Sequence, residues 1–165
     1  MRERTETGGA ERTEETAALR ERAEGAGGRQ GEGSPAAALR ERLETGRDEA
    51  LRLMYGFLQP EEEDGEELDP GYTEADVAAC GRILDAYIAR VCGIAASSLP
   101  DPRRREQALA AVERAVRELN GLNERCGEGM IETEERERLA EAINDGAVAA
   151  GLPGGEDYTE AWREW

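Results

Sequence analysis

Carboxylates are the side chains through which this sequence could do acid–base or metal chemistry, because it contains neither histidine nor lysine. Their absence excludes Ser-His and Cys-His nucleophile pairs, histidine-based metal motifs and lysine-containing phosphate loops. Acids three residues apart on a helix, as in Glu132/Glu135 and Glu134/Glu137, can hold Mg²⁺ for the hydrolysis of phosphate-containing substrates. Such pairs occur about as often as random placement of the acids predicts. They therefore favour a solvated helix surface, with a Mg²⁺-dependent phosphohydrolase using Glu132, Glu135 and Asp145 as an alternative.

A second candidate is the segment EEEDGEELDP at 61–70, which carries seven acids and no base. It does not fit a calcium-binding EF-hand loop. With Gly65 at the sixth position, Pro60 and Gly71 fall where the first and twelfth positions require ligands. We expect a solvated loop, and the alternative is weak cation binding or contact with a basic partner.

Three consecutive arginines, Arg103, Arg104 and Arg105, occupy the first turn of a predicted helix, where positive charge opposes the helix dipole. We expect ion pairs with the acidic segment 61–70 to offset this cost. The alternative is an anion-binding or partner-binding patch. The formal net charge of -17 argues against direct nucleic-acid binding. An acidic protein can instead mimic nucleic acid and occupy a basic groove on another protein.

The C-terminal sequence EDYTEAWREW at 156–165 contains both tryptophans of the chain. Tyr158, Ala161, Trp162 and Trp165 are spaced to form one face of a short helix, with polar residues opposite. A helix this short is not stable alone, so its apolar face must be covered. One interpretation is that it packs on the bundle of its own chain. The other is that Tyr158, Trp162 and Trp165 dock on a protein partner or on a second copy.

The elements that must position these residues are helices, since no segment shows the alternation of a strand. A bundle of about four helices, with antiparallel neighbours, is predicted for residues 34–152. The predicted N-terminal signals are Ser34 with Pro35, Thr73 with Asp76, Asp101 with Pro102, and Thr133. The apolar positions at helical spacing are Leu39, Leu43, Ala50, Met54 and Phe57; Val77, Cys80, Leu84, Tyr87, Ile88, Val91 and Ile94; Leu109, Val112, Val116 and Leu119; and Leu139, Ile143, Ala147 and Ala150.

Residues 1–33 differ from the rest, because Leu19 is their only large aliphatic residue and arginines and acids nearly balance. We expect a disordered tail. The three cysteines, Cys80, Cys92 and Cys126, lack CxxC spacing and indicate buried thiols in a reducing cytoplasm. No apolar run is long enough for a membrane span.

The sequence therefore predicts an all-α protein with three parts: a disordered tail (1–33), a helical domain (34–152) and a short amphipathic C-terminal helix (153–165). No stretch carries a motif specific to a known family, and no cofactor is expected. We expect a cytoplasmic, non-enzymatic protein–protein interaction module, such as an adaptor, an inhibitor or an antitoxin-like binder. The hydrolase and the nucleic-acid mimic are the alternatives.

Overall fold

The computed structural model describes residues 34–59 and 70–165, and these two ranges contain four α-helices and no β-strand. The helices are α1 (Pro35–Phe57), α2 (Glu74–Ala95), α3 (Asp101–Arg125) and α4 (Thr133–Ala149). The predicted all-α class is confirmed. The disorder expected for 1–33 and the loop expected at 61–70 concern residues that, apart from Pro70, lie outside the described ranges.

Capping interactions set the start of α1 and α2 where the sequence predicted them. The Ser34 hydroxyl accepts a hydrogen bond from the Ala37 N–H at 3.4 Å. At α2, the Thr73 N–H donates to Asp76 Oδ2 at 2.9 Å in a capping box. The Thr73 hydroxyl also donates to Asp76 Oδ2, at 2.7 Å. The hydrogen bonds from the Thr73 hydroxyl and N–H lower the pKa of Asp76.

The starts of α3 and α4 each differ from the prediction by one residue. Asp101 is already the first helical residue of α3, and Pro100 precedes it in the cap position. At α4 the N-cap is Glu132, not Thr133. The reason is a capping box in which the Glu132 N–H donates to Glu135 Oε2 at 3.3 Å. This shift places the Glu135 carboxylate against the helix start.

The core is built around α2, which packs on each of the other three helices, while α1 also packs along α4. The predicted apolar face of α2 is buried at every position from Val77 to Ile94. Inside it, the Tyr87 hydroxyl donates to the Ile143 carbonyl oxygen at 2.6 Å. Gly146 makes room for that ring, because a Cβ there would lie 2.6 Å from Tyr87 Cε1. No helix in the described ranges is long and apolar enough to cross a membrane.

Two residues predicted for the apolar stripes are on the surface instead. Leu109 is 38% exposed because α3 turns an alanine-rich face inward, with Ala108 fully buried beside it. Phe57 is 59% exposed, since it is the last residue of α1. Among the cysteines, Cys80 and Cys126 are buried as expected, whereas Cys92 is only partly so, and all three are free thiols.

Candidate functional site

The C-terminal tail packs on the bundle of its own chain. In place of the predicted helix, it forms a single turn at 158–162, in which the N–H groups of Trp162 and Arg163 both donate to the Thr159 carbonyl oxygen. The turn starts from Asp157, whose carboxylate accepts hydrogen bonds from the Thr159 N–H and hydroxyl. Thr159, predicted for the polar side, is the fully buried residue of the tail.

Two asparagines attach this tail to the helices. Asn144 of α4 donates to Asp157 Oδ1 at 3.0 Å and accepts from the Tyr158 N–H at 2.9 Å. Asn120 of α3 donates to the Trp162 carbonyl oxygen at 2.8 Å and accepts from the Glu164 N–H at 3.3 Å. Because both side chains bind main-chain groups, they fix the path of the tail.

The aromatic side chains predicted as partner anchors, Tyr158, Trp162 and Trp165, are partly buried against the core of the bundle. Burial works to raise the pKa of Asp157. Hydrogen bonds from Asn144 and Thr159, together with the charge of Arg163, outweigh burial and lower it. The tail is therefore held by a charged hydrogen-bond network as well as by apolar contact.

The first turn of α3 carries Arg103, Arg104 and Arg105, and we call it the arginine turn. It lies at the junction of α4 and the tail. Arg104 forms an ion pair at 3.2 Å with Asp101 of its own helix turn, and it donates to the Leu99 carbonyl oxygen at 3.3 Å. Its aliphatic stem lies against Gly151, where a Cβ would be 3.1 Å from Arg104 Cδ. The described partner is therefore Asp101, while the acids of segment 61–70 lie outside the described residues.

The other two arginines of this turn, Arg103 and Arg105, are exposed. Burial and Glu156 raise the pKa of Tyr158, and the charge of Arg105 works in the opposite direction. The structure thus brings the arginine turn close to the aromatic tail, two features that the sequence treated separately.

A groove lies between the C-terminal end of α1 and the loop that joins α3 to α4, and its lining continues into the first turn of α4. We call it the α1–α4 groove. Its cavity volume is about 1210 Å³, which exceeds the roughly 300–1,000 Å³ of a typical small-molecule pocket. It is lined by Arg52, Leu53, Gly56, Phe57, Gln59, Pro70, Gly71, Tyr72, Arg125, Cys126, Gly127, Gly129, Met130, Glu132, Glu134 and Glu135.

The loop on one side of this groove has an unusual backbone. Gly127 and Glu128 are consecutive residues with positive φ, of 66° and 65°. Such a conformation is uncommon for a residue other than glycine. Asn123 holds the loop, because its Oδ1 accepts hydrogen bonds from the N–H groups of Met130 and Ile131 at 3.1 and 2.9 Å. The groove wall is therefore fixed by a buried side chain.

Glu135 is the unusual charged residue of the groove. It is only 3% exposed, and its Oε1 is buried without a hydrogen-bond partner among the described residues. The other oxygen, Oε2, accepts the capping bond from Glu132. By contrast, Glu132 and Glu134 are exposed. Three of the acids that the sequence analysis paired by spacing, Glu132, Glu134 and Glu135, thus lie in one groove.

Two further groups in the groove wall keep their protons. Burial and the charges of Glu135 and Glu132 raise the pKa of Tyr72 to about 12. Its hydroxyl donates to the Met54 carbonyl oxygen at 2.9 Å. Burial also raises the pKa of the Cys126 thiol, which lies 3.9 Å from Met130 Sδ. A thiol with a raised pKa is a weak nucleophile.

No group of three or more His, Cys, Asp or Glu side chains in residues 34–59 and 70–165 is arranged to hold a metal ion. Asp145 lies on the exposed surface of α4 and is not part of the groove lining. No protein-family model, curated protein or solved structure matches the chain. The geometry of the chain itself must therefore carry any functional proposal.

Sequence reasoning missed the α1–α4 groove because its walls come from segments that are far apart in the sequence, at 52–59, 70–72 and 125–135. Phe57 fits the apolar stripe of α1, and only the end of the helix leaves it exposed. The one signal in the sequence was the capping box of α4. The spacing of three residues pairs Glu132 with Glu135 in the sequence, but the helix start predicted at Thr133 gave no reason to interpret this pair as a capping box.

Proposed function

We propose that this protein is a non-enzymatic interaction module that binds a basic, partly apolar segment of another protein in the α1–α4 groove. The observation that carries the proposal is that apolar and acidic side chains occur together there. Phe57 has the highest exposure of the large apolar side chains in the described residues, at 59%. It lines the same groove as Glu132, Glu134 and Glu135.

The form of the groove supports a peptide rather than a small molecule as the ligand. Its volume of about 1210 Å³ is large, and both an aromatic side chain and methionine line it. Aromatic residues and methionine are typical of the centre of protein–protein interfaces. The walls combine these apolar groups with backbone from the loop at 126–130, as in grooves that accept a segment of a partner chain.

The charge around the groove supports a basic partner. Among the described residues, three glutamates line it against two arginines, Arg52 and Arg125. Since the whole chain carries a formal net charge of -17, a basic segment would be attracted to it before contact. The free thiols support a reducing, cytoplasmic setting for this interaction.

The test is fluorescence anisotropy with the full chain and a fluorescein-labelled nonapeptide of three Leu-Arg-Gly repeats. We expect saturable binding of this peptide and none of the matching peptide of three Leu-Glu-Gly repeats. The Phe57→Ser substitution should weaken binding. Tyr55→Ser is the matched control, because Tyr55 is a 39% exposed aromatic residue of α1 that does not line the groove. Equal loss in both variants, or equal binding of the acidic peptide, would overturn the proposal.

A further inference from the structure

We infer that the buried carboxylate of Glu135 is the anchor site of the α1–α4 groove and that it binds the cationic end of one arginine or lysine side chain of the partner. The inference rests on the proposed function and makes it more specific. The general acidity of the groove attracts any basic chain, whereas this one carboxylate would require a basic side chain at a fixed position.

Glu135 lacks a hydrogen-bond partner for one of its two carboxylate oxygens. The described structure buries three polar or charged side chains, of Asn123, Glu135 and Thr159. Asn123 and Thr159 use their polar atoms in hydrogen bonds within the chain. Only one oxygen of Glu135 does so, through the capping bond from Glu132. The second oxygen, Oε1, is buried with no partner among the described residues.

The missing hydrogen bond at Glu135 destabilises the protein. A buried acceptor without a partner costs about 1–3 kcal/mol, and more when it is charged. Because Oε1 has almost no accessible surface, the Glu135 side chain must turn toward the groove to meet a ligand. A ligand that then donates an N–H bond to Oε1 would remove this cost, and a cationic donor would also add a charge-assisted hydrogen bond. The cation would thereby gain more from Glu135 than from an exposed glutamate, which water already satisfies.

The described residues around Glu135 do not supply this cation. Arg125 also lines the groove, but its Nη1 donates to the Gly121 carbonyl oxygen at 2.7 Å, back along α3. Arg52 makes no ion pair with Glu135. The Tyr72 hydroxyl is committed to Met54. Among the described residues there is also no cluster of acids that would place a metal ion there.

The cation has two candidate sources, a partner chain and residues 1–33 of the chain itself. We assign it to a partner chain, because the apolar groove wall around Phe57 and Met130 accompanies the carboxylate and fits a side chain with an apolar stem. The competing source is the chain itself, whose residues 1–33 contain six arginines. Only Arg2 and Arg20 have a large apolar neighbour, Met1 and Leu19, so four of the six do not match the apolar wall.

The test is a double-mutant cycle on the full chain, again read by fluorescence anisotropy. The ligands are the labelled Leu-Arg-Gly nonapeptide and the same peptide with citrulline, a neutral isostere, in place of each arginine in turn. The proteins are wild type, Glu135→Gln and the matched control Glu134→Gln. Both variants remove one negative charge from the same turn of α4, but Glu134 is exposed and Glu135 is buried. Glutamine retains an acceptor for the capping bond.

We expect one arginine of the peptide to be worth about tenfold to hundredfold in affinity for wild type, the range of a charge-assisted hydrogen bond. This preference should persist at roughly 0.5 M salt, where exposed charges are screened. It should be lost in Glu135→Gln and retained in Glu134→Gln. Retention of binding with an equal effect of the two glutamine variants would overturn the anchor assignment and leave the proposed function intact.

The remaining outcomes are also decisive. If no basic peptide binds to any of these proteins, the proposed function itself fails, and the anchor assignment fails with it. A full-length variant with the six arginines of residues 1–33 replaced by glutamine tests the internal source. If that variant binds the peptide at least tenfold more tightly than wild type, the chain's own segment occupies the site and the assignment to a partner is wrong.

Discussion

The attachment of the C-terminal tail can be tested through one side chain, because Asn144 holds it at two points. The Asn144→Ala substitution removes the hydrogen bond to Asp157 and the one from the Tyr158 N–H. Both tryptophans of the chain lie in the tail, so tryptophan emission reports on the tail alone. We expect the variant to release the tail at a lower denaturant concentration than the helices unfold.

The size of the effect follows from the two hydrogen bonds. A bond to a charged acceptor contributes about 1.5–3 kcal/mol and a neutral one about 0.5–1.5 kcal/mol. Asp157 is on the surface, with its side chain 34% exposed, so solvent screening places the sum near the lower end, at about 2 kcal/mol. This corresponds to a roughly 30-fold shift of the tail equilibrium toward release.

The assay is a urea titration that follows tryptophan emission and far-ultraviolet circular dichroism in the same samples. In wild type the two transitions should coincide, since the tail is packed on the core. In Asn144→Ala the emission transition should come first. The double variant Asn120→Ala/Asn144→Ala loses all four asparagine hydrogen bonds to the tail. It should show red-shifted emission that acrylamide quenches freely even without urea.

Asp145→Ala is the control, because Asp145 is the exposed neighbour of Asn144 on α4 and makes no described hydrogen bond to the tail. It should leave the two transitions together. If both transitions of Asn144→Ala match those of wild type, the asparagine contacts do not hold the tail and the reasoning is refuted. A dilution series separates self-association from internal packing, since only the internal contact is independent of protein concentration.

Three further predictions concern other parts of the molecule. Burial works to raise the pKa of Asp157, but the surrounding hydrogen bonds and an arginine charge lower it below 3.8. Its contribution to tail attachment is therefore complete above about pH 4 and is lost as the pH falls through that lowered value; tryptophan emission should show this acid step in wild type, and an equal step in Asp157→Asn would contradict it. Gly146→Ala would place a Cβ 2.6 Å from the Tyr87 ring, so urea unfolding should show a loss of about 1–3 kcal/mol. In contrast, Gly93→Ala on α2 meets nothing within 4 Å and should gain about 0.5–1 kcal/mol; a similar loss in both would refute the steric explanation. For the cap of α4, Glu135→Ala removes the capping acceptor, at a cost of about 0.5–2 kcal/mol, and also removes the unpartnered buried oxygen, a gain of about 1–3 kcal/mol, so its free energy of unfolding should equal or exceed that of wild type in the same titration; a loss of more than about 2 kcal/mol would show that Oε1 carries no such cost.

The sequence was sufficient for the helices because their signals are local. The capping box of Thr73 and Asp76 and the spacing of apolar residues in α2 need no information from other segments. The error at α4 also has a local cause, since the capping box of Glu132 and Glu135 displaced the hydroxyl cap predicted at Thr133. At this helix, a reciprocal capping interaction outweighs the preference for a hydroxyl residue at the cap.

The groove could not be predicted in the same way, because exposure depends on where neighbouring helices end. Periodicity assigned Phe57 to the inner face of α1, yet none of the four helices in the described residues covers it at the last turn. Likewise, the pattern of acids gave no reason to distinguish Glu135 from Glu134, and only the packing of α4 buries one of them and exposes the other. Both distinctions are properties of contacts between distant segments.

These contacts also determine at which surface a partner would bind at the lower cost in free energy. A partner that used Trp162 or Trp165 would first have to break four hydrogen bonds from Asn120 and Asn144 and remove the indoles from the core. Each of those losses would be subtracted from its affinity. At the α1–α4 groove, a partner would contact a Phe57 side chain that is 59% exposed and would give Glu135 Oε1 the hydrogen bond that it lacks among the described residues. The same interaction energy therefore yields tighter binding at the groove than at the tail.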